Sequence, residues 1–247
     1  YPTDDEKSGG IDQAWLSAAA KVTTAKESSI DTKLWAGCAP AVLFRLRHPQ
    51  TDLPAELRRL VAEQVALADS AARTKYQRKS FVTGAASLLK DSGDFDAARR
   101  LLDKELKTTD TPWVILSSYA NIEKAAGNAD RALALIAKAR KSARGRASKL
   151  QWIQADIAMT TQLRPSNTSQ RLGRLVRDYY QTATALPDGF SGRNAKIAEK
   201  VGIALGPFLS DKNIAQSMAA AASACRAKAQ DNGCLSHLTK LGIKTPS

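Results

Sequence analysis

The chain has 247 residues, enough to bury a sizeable core as one large domain or two smaller ones. It carries 37 Lys and Arg against 24 Asp and Glu, a formal charge of +13, with only 14 Gly and 9 Pro. No apolar run approaches the roughly 18–20 residues that span a bilayer, and no stretch sustains the two-residue alternation of a half-buried strand. A membrane-spanning helix and a β architecture are therefore excluded, and helices are expected throughout.

Residues 1–10 read as a flexible leader: Pro2, three acids, Ser8 and a Gly-Gly pair, with no apolar residue after Tyr1. The start at Tyr1, with neither Met nor a charged-then-apolar segment, points to a processed or trimmed product. From residue 11 to 247 a single helical domain is expected. The first helix, 11–26, carries Trp15, Leu16, Ala19 and Val22. The second, 30–47, starts after Ser29 and ends at Pro49. Pro54 opens a third, running to about residue 72, as proline in a first turn commonly does.

The next two pairs of helices, 75–91 with 95–108 and 112–126 with 129–143, repeat each other. Residues 79–112 overlie 113–146 without a gap, pairing Ala86 with Ala120, Gly93 with Gly127, Ala98 with Ala132, Leu101 with Leu135 and Leu102 with Ile136. A 34-residue period with glycine at the turn and small residues at the crossing is the tetratricopeptide pattern. Alanine lets paired helices approach closely, and glycine permits the tight turn between them. A third unit is degraded: Leu150 and Ile153 keep the apolar spacing, but Thr161 stands where glycine is required, and Pro165-Ser166-Asn167-Thr168 makes a longer connection. Helices then follow over 170–184, 196–209, 213–229 and 234–241. The fold class expected is all-α, an α–α superhelix or tetratricopeptide-like solenoid of about 11–12 helices.

The positive charge is uneven. Between Asp130 and Asp156 there is no acid, while Arg131, Lys138, Arg140, Lys141, Arg144, Arg146 and Lys149 all fall there. Such a run is either a solvated helix end, where cations suit the negative dipole, or a basic patch for nucleic acid or another polyanion. No aromatic residue is interleaved with these charges, as a single-strand groove requires, which favours the solvated end.

Of three cysteines, Cys225 and Cys234 lie near the end of one helix and the start of the next, across a turn at Asp231-Asn232-Gly233. That places them within disulfide reach, the favoured reading. Adding His237 gives a C-x8-C-x2-H alternative, which lacks the fourth ligand of a closed zinc site. A structural disulfide implies an oxidising compartment, such as a bacterial periplasm. Cys38 sits in an apolar helix and reads as a buried, inert thiol. With only His48 and His237, no H-E-x-x-H and no Cys-x-x-Cys, the chain offers no catalytic motif, and neither a cofactor nor a metal is implied.

From Leu53 onward the order of features resembles the helical C-terminal region of bacterial exported thioredoxin-domain proteins. The resembling pieces are Leu53-Pro54-Ala55-Glu56-Leu57, Ala66-Leu67-Ala68-Asp69, Tyr76-Gln77-Arg78, Ala85-Ala86-Ser87-Leu88-Leu89 and the stretch 94–106. Gly145-Arg146-Ala147-Ser148-Lys149-Leu150-Gln151-Trp152, Leu186-Pro187-Asp188-Gly189-Phe190, Gly192-Arg193-Asn194 and the two late cysteines complete the series. The resemblance implies an exported accessory domain whose parent carries a thioredoxin-like module. It brings no catalytic residue onto any position here.

The function expected is therefore a non-catalytic, periplasmic or otherwise exported helical module that binds a protein or peptide, a thioredoxin-like module or its substrate being the implied partner. Its surface is expected on the first helix of each pair, at Ser80, Thr83, Ser87, Lys90, Ser117, Asn121, Lys124 and Gln151, where small and polar side chains leave room and the lysines meet carboxylates. The alternative is a basic α-solenoid that binds nucleic acid or another polyanion through Lys138, Arg140, Lys141, Arg144, Arg146 and Lys149.

Overall fold

The structure, a computed structural model, describes residues 5–227 and 233–243, with side chains from residue 10 onward. All of the described regular structure is helical: thirteen α-helices and one 3₁₀ turn, with no strand among the described residues. Packing groups the chain into two compact units. The first comprises residues 1–110 and 121–126, the second 111–120 and 127–247.

The first unit opens with α1 (Asp5–Thr24). Six residues of the expected leader are therefore helical, while 1–4 lie outside the described residues. Gly9 and Gly10 look like breakers, but a glycine costs a helix only about 1 kcal/mol relative to alanine. The single helix expected over 30–47 is two, α2 (Ile30–Gly37) and α3 (Ala39–Arg47), meeting at Cys38. Pro40 causes the break, because it has no amide hydrogen to return to the preceding turn.

Next come α4 (Ala55–Ala71), α5 (Lys75–Asp91) and α6 (Phe95–Leu106). Thr74 starts α5 with a capping box: its hydroxyl accepts from the Gln77 amide, and the Gln77 side chain accepts from the Thr74 amide. One face of α5 is then apolar and buried through Phe81, Val82, Ala85, Ala86, Leu88 and Leu89, and α6 packs on it. Ala86 and Ala98 are wholly buried. The α5–α6 turn is a Schellman cap, in which Asp94 N–H reaches Leu89 O and Gly93 N–H reaches Lys90 O. Gly93 has φ +82°, a conformation only glycine takes without strain. Charged pairs join the helices of this unit. Arg78 bridges Asp69 of α4 and Glu105 of α6, each at 2.9 Å, and Arg99 of α6 holds the fully buried Glu123.

The helix α7 (Pro112–Ala125) contributes residues to both units. The second unit continues with α8 (Ala129–Ser142), α9 (Arg146–Leu163), α10 (Thr168–Thr184), α11 (Gly192–Leu205), a 3₁₀ turn Gly206–Phe208, α12 (Lys212–Arg226) and α13 (Cys234–Lys240). Gly127 before α8 has φ +79°, and Asn128 after it repeats the backbone of Asp94 to within 5° (φ −87°, ψ 65° against φ −87°, ψ 70°). Thr161 cannot adopt that conformation cheaply, so α9 runs on through it. The left-handed turn residue is Arg164 instead, at φ 45°, its guanidinium over the Phe208 ring. The core lies where α9, α10, α11 and α12 meet, around Ile157, Leu172, Val176, Tyr179, Tyr180, Val201, Leu205 and Met218. Cys225 and Cys234 form a disulfide, Cα atoms 5.9 Å apart, that ties α12 to α13. Of the turn expected between them, residues 231 and 232 lie outside the described residues.

Candidate functional site

Ser80, Thr83, Ser87 and Lys90 recur at intervals of three and four, so they form one stripe along α5, opposite its buried face. Ser80 is exposed and the other three are half-buried. Asn121 and Lys124 belong to the same unit as this stripe, whereas Ser117 and Gln151 belong to the second. Gln151 is engaged locally, accepting a hydrogen bond from Arg193 at 3.0 Å. Lys90 is engaged too, its ammonium 2.9 Å from the carboxylate of Asp91. The Asp91 carbonyl in turn accepts from Nε of Arg45, at 3.0 Å, and from its Nη2.

Sequence reasoning missed the group that sits on the stripe. Gly84 lies on the same face, and a Cβ there would come 3.0 Å from the indole nitrogen of Trp35 and 3.1 Å from the Asp31 carboxylate. Trp35 of α2 thus lies against α5 because residue 84 has no side chain, and its indole N–H donates to Asp31. Burial raises the Asp31 carboxyl above its ordinary range, and that hydrogen bond opposes the shift. Trp35 remains 39% exposed. A half-open aromatic edge therefore borders the middle of the stripe, where uninterrupted small polar residues were expected. The signal in the sequence was the glycine four residues after Ser80, which a helix interior does not otherwise favour. Elsewhere in this unit α1, α2 and α4 line an open hollow of about 180 Å³, with Leu34, Leu67 and Ala68 on its wall.

Of the six basic candidates, Lys138, Lys141, Arg144, Arg146 and Lys149 are exposed. Arg140 is the exception. It donates to the buried Asp156 at 3.1 Å and to Asp178 at 3.0 Å, while Arg171 reaches Asp156 from the other side at 2.6 Å. This network ties α8, α9 and α10 together, so Arg140 is first a structural residue.

Reactive groups are muted. Cys38 is fully buried, and burial pushes its thiol up to about 12, so it holds almost no thiolate near neutral pH. His237 lies against the rings of Tyr180 and Phe190, with centroids 6.0 and 5.5 Å away. Burial, and secondarily the charge of Lys240, push its imidazole down to about 4. Among the described residues no group of three or more His, Cys, Asp or Glu is placed to hold a metal ion, and no helix is long and apolar enough to cross a membrane. The chain matches no protein-family model, no curated protein and no solved structure.

Proposed function

We propose that this chain is a non-catalytic, tetratricopeptide-like helical module that binds a protein or peptide, the accessory domain of an exported thioredoxin-like protein. The observation that carries the reading is the α5 stripe of Ser80, Thr83, Ser87 and Lys90 with the half-exposed Trp35 on it. An aromatic edge with its polar group already satisfied offers a partner apolar area at low entropic cost, and Lys90 would exchange its exposed Asp91 pairing for a partner's carboxylate. Asn121 and Lys124 extend this surface. A stacked, solenoid arrangement is part of the proposal, supported by the matching turns at Gly93–Asp94 and Gly127–Asn128, 34 residues apart. The Cys225–Cys234 disulfide supports the oxidising compartment.

Selection from a displayed random peptide library should enrich a consensus containing an acidic residue and an apolar one. Lys90→Glu with Lys124→Glu, or Trp35→Ala, should weaken binding of a synthetic consensus peptide by about tenfold or more, while the circular dichroism spectrum stays unchanged. Absence of any enriched sequence, or binding indifferent to these changes, would sink the reading.

A second reading, binding of nucleic acid or another polyanion, rests on the five exposed cations of 138–149. Its mark is a steep linear fall of log affinity with log salt. No binding to DNA, RNA or heparin at low salt removes it.

A further inference from the structure

We propose that α8, α9 and α10 form a binding site for a single phosphate- or sulfate-type oxyanion, held by Lys141, Lys149, Gln181 and the unused edge of Arg140. The three helices surround a hollow of about 230 Å³. That is below the roughly 300–1,000 Å³ that encloses drug-sized ligands, and suits a small anion. Lys141 comes from the last turn of α8 and Lys149 from the first turn of α9, while Gln181 and Thr182 come from α10. Donors thus converge from three elements, with Ile153 as apolar lining and one carboxylate, Asp178, on the wall, paired to Arg140.

The charges of this hollow are not balanced from within. Residues 129–185 hold eleven Lys and Arg against three Asp, a surplus of eight. Two of the acids are already engaged: Arg140 and Arg171 take Asp156, and Arg140 takes the Asp178 oxygen that faces it. The third, Asp130, is in the first turn of α8, eleven residues and about 16 Å along the helix from Lys141. Lys141 and Lys149 form no ion pair among the described residues. Lys141 has a local reason to be basic, since a cation suits the negative end of α8. Lys149 has none. With Arg146 it puts positive charge in the first turn of α9, where the helix dipole is itself positive. With Arg140 held by Asp156 and Asp178, the uncompensated cations on the wall are Lys141 and Lys149, and a bound oxyanion relieves their mutual repulsion.

The donor inventory fits. Arg140 uses Nε and one Nη1 hydrogen on its carboxylates, so its Nη2 hydrogens are left over. Each lysine supplies an ammonium and Gln181 an amide. The Thr182 hydroxyl donates to the Asp178 carbonyl at 2.8 Å, so it contributes no donor to the anion.

The polyanion reading shares Arg140, Lys141 and Lys149 with this site, but the two fail differently. The test is calorimetric titration of the full chain with inorganic phosphate and, separately, sulfate, at constant ionic strength balanced with chloride. One saturable site per chain is expected. Lys141→Ala and Lys149→Ala should each weaken it by about tenfold, and Gln181→Glu should abolish it. Lys138→Ala, an exposed cation outside the hollow, should leave it unchanged. All four positions are exposed, and unchanged thermal unfolding without the anion will show that the variants fold. No saturable binding of either anion overturns the site. So does a loss at Lys138→Ala equal to that at Lys149→Ala, or binding to heparin or DNA alone. Saturable binding of the small anion without polymer binding supports the site and removes the polyanion reading.

Discussion

His237 is packed for apolar contact, and its Nε2 is buried without a hydrogen-bond partner. The groups around it are the Tyr180 ring of α10, the Phe190 ring and, on its own helix, Lys240. None of these offers the negative charge that would stabilise an imidazolium, which is why the folded pKa lies at about 4 against an ordinary 6.5. Below pH 6.5 the unfolded chain therefore binds a proton that the folded chain refuses. Stability is full above that value, falls as pH drops from 6.5 towards 4, and is flat below. The whole effect is at most about 3 kcal/mol, and smaller because water still reaches part of the ring. Urea unfolding at pH 7 and pH 4.5 should show the wild type losing more stability than His237→Phe, which keeps the ring and removes the titration. Equal losses would mean that the imidazole is not held neutral. Trp35 carries the same lesson for the candidate site. Its place on the α5 stripe depends on Gly84, forty-nine residues away in sequence.

Among the elements, the paired helices were the most readable. The bounds of α5 follow from a capping threonine and a Schellman glycine, both local signals. The 34-residue echo placed the turns at Gly93 and Gly127, and both have the left-handed backbone that the motif needs. Apart from the adjoining residues, no atom lies within 4 Å of where a Cβ would stand at either position, so substitution costs backbone energy alone. Gly93→Ala and Gly127→Ala should each lower the unfolding free energy by about 1–2 kcal/mol, with the corresponding asparagine variants milder. Chemical denaturation measures this, and an alanine variant as stable as wild type would show that the turn tolerates another conformation. The α2–α3 break was less readable. Cys38-Ala39-Pro40 falls inside a continuous apolar pattern, and periodicity alone outweighed the missing amide of Pro40. In the third unit the lost glycine was visible, but its replacement by Arg164 was not. That choice depends on the guanidinium resting on Phe208, which is distant in sequence.

For the whole molecule, the disulfide gives a measurable expectation. In guanidinium, the chain should titrate one thiol without reductant, Cys38, and three with it. Reduction should also lower the unfolding free energy by about 2–3 kcal/mol, the chain-entropy cost of releasing so short a loop. Three thiols before reduction would remove both the cross-link and the support it lends to an exported location. Helical class, the absence of a membrane-crossing helix, the repeat turns and the basic surplus are all local in sequence. They follow from composition, a 3.6-residue period and glycine at a fixed offset, all of which can be read along the chain. The division into two units, the Asp156 network that withdraws Arg140 from the basic patch, Trp35 on the α5 stripe and the hollow beside Lys141 and Lys149 were decided only by the tertiary structure. Each depends on which side chains meet across tens of residues, and packing and charge neutralisation select those meetings without leaving a periodic trace in the chain.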